Sequence, residues 1–355
     1  GDVMLDRYVR GEVRHISPEA PVAVVAENER TDVVGGAGNV ACNVRGLGAN
    51  VRLVAVTGDD SNGKRISDLF ADQEIPLDDL ITTTDRPTSL KTRIASRQQH
   101  IVRVDREVCL DVPGPIQERV ICHVLDHLPE TDVLVLSDYA KGVLTAKTCS
   151  TILGRARRSD IPTIVDPKGD CFDKYRGAQT LCPNERELAH VVGNTSDNWN
   201  AFVHGAQDLC RRCDLNQILV TRGSEGITQS REDTSRSFPT QPRTLYDVSG
   251  AGDTVVAALA VAVAANMGWE EAIDLANVAG GWAVEQLGTA VFTQAALAAD
   301  MRRGFDSAIY LPDEKAIENL RHRWEREEHT VVFTNGCFDL LHAGHVACLA
   351  AAQKL

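Results

Sequence analysis

The 355-residue sequence predicts an α/β fold, in which a doubly wound, mostly parallel sheet carries helices on both faces. Short β-branched runs such as "DVLVLSD", "IPTIVDPKG" and "QILVTRGSEG" alternate with helical patterns, which is typical of βαβ units. Hydrophobic residues make up 43% of the chain and charged residues 25%, the balance of a globular protein with a large core. At this length we expect one large domain and a smaller piece.

Two segments depart from this alternation. Residues 12–26, "EVRHISPEAPVAVVA", and 88–104, "TSLKTRIASRQQHIVRV", have the pattern of extended strands without a helix. We expect them to form a small separate β sheet that acts as a lid over the site. We also expect two copies of the chain to form a homodimer through these lid strands.

The pattern changes again near residue 303. Residues 306–328 predict a linker and a connecting helix, and residues 329–355 predict the first strand and helix of a second, Rossmann-like domain. The predicted organisation is therefore a main domain over 1–305, a connection over 306–328, and the start of another domain over 329–355.

Charge and composition exclude several classes of protein. A formal net charge of −13 argues against nucleic-acid binding, which needs clustered basic residues. No apolar run approaches the ~20 residues that span a bilayer, so we expect a cytoplasmic protein without membrane contact. The ten cysteines lack regular spacing and are expected to be reduced thiols, including the C-x-x-C pair Cys210 and Cys213.

The stretch "YDVSGAGDTVVAALA", residues 246–260, combines a small-residue loop, an aspartate and an apolar helix. Gly250, Ala251 and Gly252 leave backbone N–H groups open at the helix start, where anions bind. Asp253 at this place is suited to accept a proton from a substrate hydroxyl while the amides stabilise a transferring phosphoryl group. The alternative is a simple helix cap.

Two other glycine motifs are near misses. "GDDSNGKR", residues 58–65, has P-loop spacing, but Arg65 replaces the hydroxyl residue that holds Mg²⁺, and two aspartates would repel phosphates. "GAGNVA", residues 36–41, fits a dinucleotide pattern. A nicotinamide-dependent oxidoreductase using Gly36 and Gly38 therefore stays an alternative, as does a non-catalytic sugar-binding regulator.

"DVSGAGDT" resembles the C-terminal signature of the ribokinase-like carbohydrate kinases. This resemblance implies that Asp253 is the catalytic base and that residues 250–252 form the anion hole. "GGAGN", residues 35–39, resembles the N-terminal glycine signature that contacts the sugar, although its asparagine falls one residue earlier than in many members. The implied sugar contacts are Gly35, Gly36 and Asn39.

The same resemblance implies ATP and Mg²⁺ as cofactors. "PNERE" supplies an N-x-x-E element, in which Glu187 holds Mg²⁺ through water near the nucleotide phosphates. "TRGSEG" resembles the turn that cups the nucleotide, and "ANVAGG" lies where the family lines the adenine pocket. Lys168 directly follows a strand and is expected to reach a phosphate. The other implied ATP-binding residues are Asn184, Glu185, Arg186, Thr221, Gly223, Gly226 and Asn277.

One branch of the family matches more motifs. "GDVMLDRY", "ISPEAPV", "LSDYAKG", "DPKG" and "YDVSGAGDT" resemble, from residue 1 to about 300, the heptose 7-phosphate kinases of the bifunctional heptose kinase/adenylyltransferases. "TNGCFDLLHAGH" resembles the start of their cytidylyltransferase-like domain, with Thr334, His342 and His345 in its nucleotide motif.

This closer resemblance implies ATP-dependent phosphorylation of D-glycero-β-D-manno-heptose 7-phosphate at C1, giving the 1,7-bisphosphate. The full-length protein would also transfer an adenylyl group to heptose 1-phosphate, toward ADP-heptose for lipopolysaccharide. Another sugar or sugar-phosphate kinase of the same family is the alternative.

A sugar that already carries a phosphate needs a second anion site away from ATP. Strand alternation places Lys91, Arg93 and Arg97 on one face of the lid, where they can converge on one phosphate. Asp2 and Asp6 are suited to accept hydrogen bonds from the sugar hydroxyls.

Overall fold

The computed structural model describes residues 1–96, 99–193, 199–241, 243–286 and 288–306, together with Glu318, Arg321 and Trp324. The chain separates into two compact units, residues 1–301 and 302–355. Arg97 of the predicted lid and the second-domain residues Thr334, His342 and His345 lie outside the described residues.

Within the described part of the chain, the strands form three sheets. A six-stranded sheet has the order β12-β11-β10-β9-β8-β7, a four-stranded sheet has the order β2-β1-β5-β6, and β3 pairs with β4. The strands are β1 Val3–Ile16, β2 Ala23–Gly36, β3 Ala55–Gly58, β4 Leu80–Thr83, β5 Leu90–Ser96, β6 Gln99–Arg106, β7 Leu134–Ser137, β8 Thr163–Asp166, β9 Thr180–Leu181, β10 Gln217–Thr221, β11 Ile227–Ser230 and β12 Ser235–Phe238. The helices are α1 Ala37–Gly46, α2 Ser61–Asp72, α3 Gly114–His127, α4 Ala146–Arg158, α5 Glu185–Val192, α6 Trp199–Cys213, α7 Ala251–Ala264, α8 Trp269–Val284 and α9 Gln294–Asp306.

The six-stranded sheet has a hydrophobic core on each face. Strands β7 to β10 are parallel, and β11 and β12 continue the sheet antiparallel. On β10, Ile218 and Val220 pack with residues of α4, α5 and α6, whereas Leu219 packs with α7 and α8. Because alternate side chains of a strand point to opposite faces, this pattern requires helices on both sides of the sheet. The predicted doubly wound α/β fold is confirmed.

Helix α7 is buried over most of its surface, including the eight consecutive residues 253–260 and Ala262. A helix that is apolar all round belongs in the interior of a protein. Because α7 is packed in this way, its first turn has a fixed position, and so does Asp253 within that turn.

The predicted lid is the four-stranded sheet. Strands β1 and β2 form an antiparallel pair, β1 and β5 are parallel, and β5 and β6 are antiparallel. The segment 12–26, expected to be extended, is interrupted between Ile16 and Ala23, where Ser17 N–H donates to the Val22 carbonyl across a turn. Pro18 and Pro21 lie in this turn and cannot donate to a sheet ladder.

The competing motifs have structural roles. In the P-loop-like stretch, Asp60 caps α2 by accepting from the amides of Asn62 and Gly63, so a carboxylate occupies the place of a phosphate. In the dinucleotide-like stretch, α1 connects β2 and β3, which lie in different sheets, so it is not the crossover helix of a βαβ unit. Cys210 and Cys213 are buried free thiols of α6. No helix in the described ranges has the length and apolar character needed to cross a membrane.

Candidate active site

The carboxyl ends of the parallel strands and the start of α7 surround a cavity of about 210 Å³. Ligands of α/β proteins bind at this edge of the sheet, because the connecting loops and helix N-termini meet there. The cavity brings together seven of the residues predicted from the sequence. They are Lys168, Asn184, Glu187, Thr221, Gly250, Gly252 and Asp253.

Asp253 lies at the third position of α7 with 3% of its surface exposed. Its two carboxylate oxygens each receive a hydrogen bond, Oδ2 from Asn39 Nδ2 at 2.8 Å and Oδ1 from the Tyr139 hydroxyl at 2.7 Å. Burial raises the pKa of Asp253 to about 6, while the two hydrogen bonds hold it down. Asp253 is therefore ionised at neutral pH, and its pKa lies close enough to neutral pH for the carboxylate to accept a proton.

Gly250 precedes α7 in a left-handed conformation, with φ of 77°. A Cβ at this position would lie 2.8 Å from Asn39 Nδ2, so a side chain would push against the asparagine that donates to the Asp253 carboxylate. The first intrahelical bond of α7 runs from Thr254 N–H to the Gly250 carbonyl. The amides of Gly252 and Asp253 come before it, where a helix provides no acceptor, whereas the Ala251 amide donates to Val248 at 3.3 Å.

Carboxylates and one lysine line the part of the cavity formed by the end of β8 and the start of α5. Asn184 and Glu187 form a capping box at the start of α5, and Lys168 Nζ donates to Glu187 Oε1 at 2.6 Å. Asp166 ends β8 in the same cavity. Burial, followed by the charges of Asp253 and Glu187, raises the pKa of Asp166 well above its usual value. Asp166 and Glu187 thus place two carboxylates in this part of the cavity, while no group of three or more His, Cys, Asp or Glu side chains among the described residues is arranged to hold a metal ion by itself.

The remaining predicted nucleotide residues do not line this cavity. Gly223 and Gly226 form the turn between β10 and β11, and Asn277 Nδ2 donates to the Phe238 carbonyl at 3.0 Å. Arg186 is exposed on α5. Glu185 approaches Arg222 at 3.9 Å, and the Arg222 guanidinium stacks on Trp199.

On the sugar side, Asp2 is engaged by a loop. Its buried carboxylate accepts hydrogen bonds from the amides of Tyr139, Lys141 and Val143. Asp2 thus fixes the course of the chain after β7, a role that its position in the sequence does not reveal.

Asp6 and Arg93 pair with each other at 2.5 Å, and the Arg93 guanidinium also lies over the Tyr8 ring. Gly35 makes room for this pair, because a Cβ there would collide with Asp6 Oδ2. Gly36, with φ of 65°, turns the chain into α1. Residues Asp6 and Lys91 are neighbours on paired strands, so these groups share the lid face that looks toward the site.

Lys91 is a half-buried cation whose ammonium group lies 5.8 Å from the centre of the Tyr139 ring. Burial lowers its pKa, and its charge lowers the pKa of Asp253. Among the described residues it has no ion pair with a carboxylate, in contrast to Arg93.

Comparison with known proteins identifies the fold and the family. Residues 1–296 match the model of the pfkB family carbohydrate kinases. The chain belongs to this family. It is therefore an enzyme, a sugar phosphotransferase, and the nicotinamide-dependent alternative is set aside.

Similar proteins match this chain over 99% to 100% of its length. The bifunctional protein HldE of Koribacter versatilis is 39% identical, with 99% of this chain and 73% of the relative covered. That of Pelobacter propionicus is 42% identical, with 100% and 73% covered. These matches confirm the resemblance found in the sequence.

Solved kinase structures confirm the ribokinase-like fold. Phosphofructokinase-2 from Escherichia coli in complex with substrates and products superposes with a TM-score of 0.71 at 19% identity, covering 85% of this chain and 96% of that chain. Arabidopsis thaliana ribokinase complexed with ribose and ATP superposes with a TM-score of 0.67 at 19% identity, covering 85% and 97%.

Two residues of this kinase site were missed by sequence reasoning. Tyr139 and Asp166 both lie at the carboxyl ends of strands, β7 and β8, in the stretches "LSDYAKG" and "DPKG". Position after a buried strand was the available signal. It did not show which of these side chains would reach Asp253.

A second cavity, of about 930 Å³, lies between α1, α3, α7 and β7. Aliphatic side chains dominate its wall, and it contains none of the predicted site residues. Phosphoryl transfer needs convergent polar groups, so the chemistry belongs to the smaller cavity.

We expect sugar-dependent ADP release to decline as the pH falls through about 6, because protonated Asp253 cannot accept the substrate proton. The measurement is kcat/KM for the sugar between pH 5 and 8, because the pH dependence of kcat/KM reports the pKa of the free enzyme. A rate that stays constant across this interval would contradict the assignment of Asp253 as the base.

Proposed function

We propose that this chain transfers the γ-phosphoryl group of ATP to the C1 hydroxyl of D-glycero-β-D-manno-heptose 7-phosphate, forming the 1,7-bisphosphate. The observation that carries the proposal is the buried Asp253 carboxylate at the open N-terminus of α7, held by two hydrogen-bond donors. Relatives named bifunctional protein HldE, at 39% and 42% identity, support the choice of this branch of the family.

Each group around the cavity has a part in the reaction. Asp253 accepts the proton of the C1 hydroxyl as the hydroxyl oxygen attacks the γ-phosphorus and the bond to ADP breaks. The amides of Gly252 and Asp253 stabilise the negative charge on the transferring group, because they point outward from the helix start. The lid excludes water that would otherwise compete with the sugar.

The nucleotide lies, in this proposal, between Lys168, Thr221 and the α5 start. Glu187 and Asp166, which line the cavity, would provide oxygen ligands for an Mg²⁺ ion that arrives with the ATP phosphates. When bound, Mg²⁺ neutralises charge on the ATP phosphates. Lys168 now pairs with Glu187 and is placed to exchange this partner for a phosphate oxygen.

Adenylyl transfer to heptose 1-phosphate is proposed for a longer protein that holds the complete second domain. The chain spans 73% of the length of the relatives named above.

The base is tested by Asp253→Asn, which keeps the shape of the side chain and removes its basicity. We expect turnover to fall by roughly 10²–10⁴ with little change in the KM for ATP. ADP release is measured over a panel of sugars and sugar phosphates, with heptose 7-phosphate expected to be the best substrate.

Asp79→Asn is the matched control, because Asp79 is a buried carboxylate bonded to His123 and His127 in another part of the fold. Wild-type turnover in Asp253→Asn would reject the mechanism. A different best substrate in the panel would favour another sugar-phosphate kinase of the family.

We further propose that Lys91 binds the 7-phosphate. We expect Lys91→Gln to lower kcat/KM for heptose 7-phosphate about tenfold more than kcat/KM for unphosphorylated heptose, because a hydrogen bond between charged groups is lost only for the phosphorylated sugar, whereas the effect of the Lys91 charge on the pKa of Asp253 is common to both substrates. The comparison of these two substrates separates phosphate binding from catalysis. Lys64→Gln, at an exposed lysine of α2, is the control. An equal loss for both substrates would place Lys91 at the transferring phosphoryl group instead.

Finally, we propose a homodimer through the lid. Val102 and Val104 of β6 are 47% and 54% exposed, and they alternate with Arg103, which pairs opposite Arg93. They therefore face away from the site, as an apolar surface available to a second copy.

We expect Val102→Glu combined with Val104→Glu to convert the dimer to a monomer, because buried unpaired carboxylates are costly. Molar mass from sedimentation equilibrium measures this. Leu110→Glu, at an exposed leucine outside the strands, should leave the mass unchanged. A monomeric wild type would reject the proposed dimer.

A further inference from the structure

We propose that Tyr139 is a positioning residue for phosphoryl transfer, whose hydroxyl fixes one oxygen of the Asp253 carboxylate so that the opposite lone pairs face the substrate hydroxyl. This inference rests on the proposed function of Asp253 as the base. It assigns to Tyr139 a role that acts through Asp253 and not through contact with the sugar.

The contacts of Asp253 define its orientation. Tyr139 donates to Oδ1 and Asn39 donates to Oδ2, from opposite ends of the carboxylate. Each ionised carboxylate oxygen has two lone pairs, so both oxygens keep acceptor capacity after these bonds form. The side chain is buried, and rotation about its Cβ–Cγ bond would break both bonds at once. The carboxylate is thereby held in one plane.

Tyr139 is itself held in place from its backbone. Its amide donates to Asp2 Oδ2 at 2.9 Å, and the same oxygen accepts the amide of Lys141 at 2.9 Å. The ammonium group of Lys91 lies over the ring. The hydroxyl therefore reaches Asp253 from a loop that is fixed at its base, which is what an aligned reaction geometry requires.

The Asn39 side is supported in the same way. Asn43 Nδ2 donates to Asn39 Oδ1 at 3.0 Å, and Asn43 Oδ1 accepts the Phe292 amide at 2.7 Å. Asn39 thus presents its NH₂ group to Asp253 because its own oxygen is already engaged. In this arrangement Asn39 orients the base, in addition to the sugar contact expected from the glycine signature.

The hydroxyl of Tyr139 acts as the donor of its bond to Asp253. An ionised carboxylate accepts hydrogen bonds only. Burial, and then the charge of Asp253, raises the pKa of Tyr139, so the phenol keeps its proton throughout the neutral range. Removing this hydroxyl leaves Asn39 as the one side-chain donor to this buried carboxylate among the described residues.

The variant Tyr139→Phe keeps the ring and removes only the hydroxyl. We expect kcat to fall about tenfold to a hundredfold, in line with the loss of a hydrogen bond to a charged group, with the KM for ATP unchanged. In an Asp253→Asn background the same substitution should change the residual rate less than about twofold, because the group that Tyr139 positions is no longer a base.

Tyr175→Phe is the matched control. Tyr175 is also a buried tyrosine whose hydroxyl donates to an aspartate, Asp138, at 2.7 Å, but it makes no contact with Asp253. Tyr175→Phe should change kcat by the same factor in the wild-type enzyme and in Asp253→Asn, whatever the size of that factor. Thermal unfolding of each variant verifies that the folded enzyme is being compared.

The outcomes separate the inference from the proposed function. The positioning role is supported if Tyr139→Phe lowers kcat when Asp253 is present but not when Asp253 is replaced by Asn. An equal loss in both backgrounds, or no loss in either, rejects that role and leaves the function standing. Wild-type turnover in Asp253→Asn alone rejects Asp253 as the base, and with it the role of Tyr139.

Discussion

The site depends on one electrostatic constraint. The buried Asp253 carboxylate must be ionised, although no basic side chain among the described residues is bonded to it. Burial favours the neutral form of Asp253, and two neutral donors, Asn39 and Tyr139, offset that cost. A salt bridge would stabilise the anion more strongly but would lower its basicity. Neutral donors leave the pKa near 6, which suits a base that works at neutral pH.

Much of the surrounding polar structure serves to hold those two donors. Asp2 ties down the loop that carries Tyr139, and Asn43 orients Asn39 and binds the Phe292 amide. Segments far apart in the sequence thus meet at one carboxylate. This explains why residues that resemble sugar ligands in the sequence are engaged by protein groups in the structure.

The lid has a different character on each face. Toward the site it carries the Asp6–Arg93 pair and the half-buried Lys91, and away from the site it exposes Val102 and Val104. Successive side chains of a strand point to opposite faces, so alternating charged and apolar residues produce one charged face and one apolar face. A charged inner face suits a phosphorylated sugar, and an apolar outer face suits a protein partner.

By itself, the sequence determined the α/β class, the separate lid, the family and the central position of Asp253 at the start of α7. These follow from local signals, namely strand and helix periodicity, glycine-rich turns and a short motif, which depend on neighbouring residues only. The tertiary structure alone decided which side chains touch Asp253. Tyr139 and Asn39 lie 114 and 214 residues away from it along the chain, and no local pattern encodes contacts at such separations. It also decided that Arg93 is paired with Asp6 while Lys91 is not, because an ion pair depends on which strands become neighbours in the folded sheet.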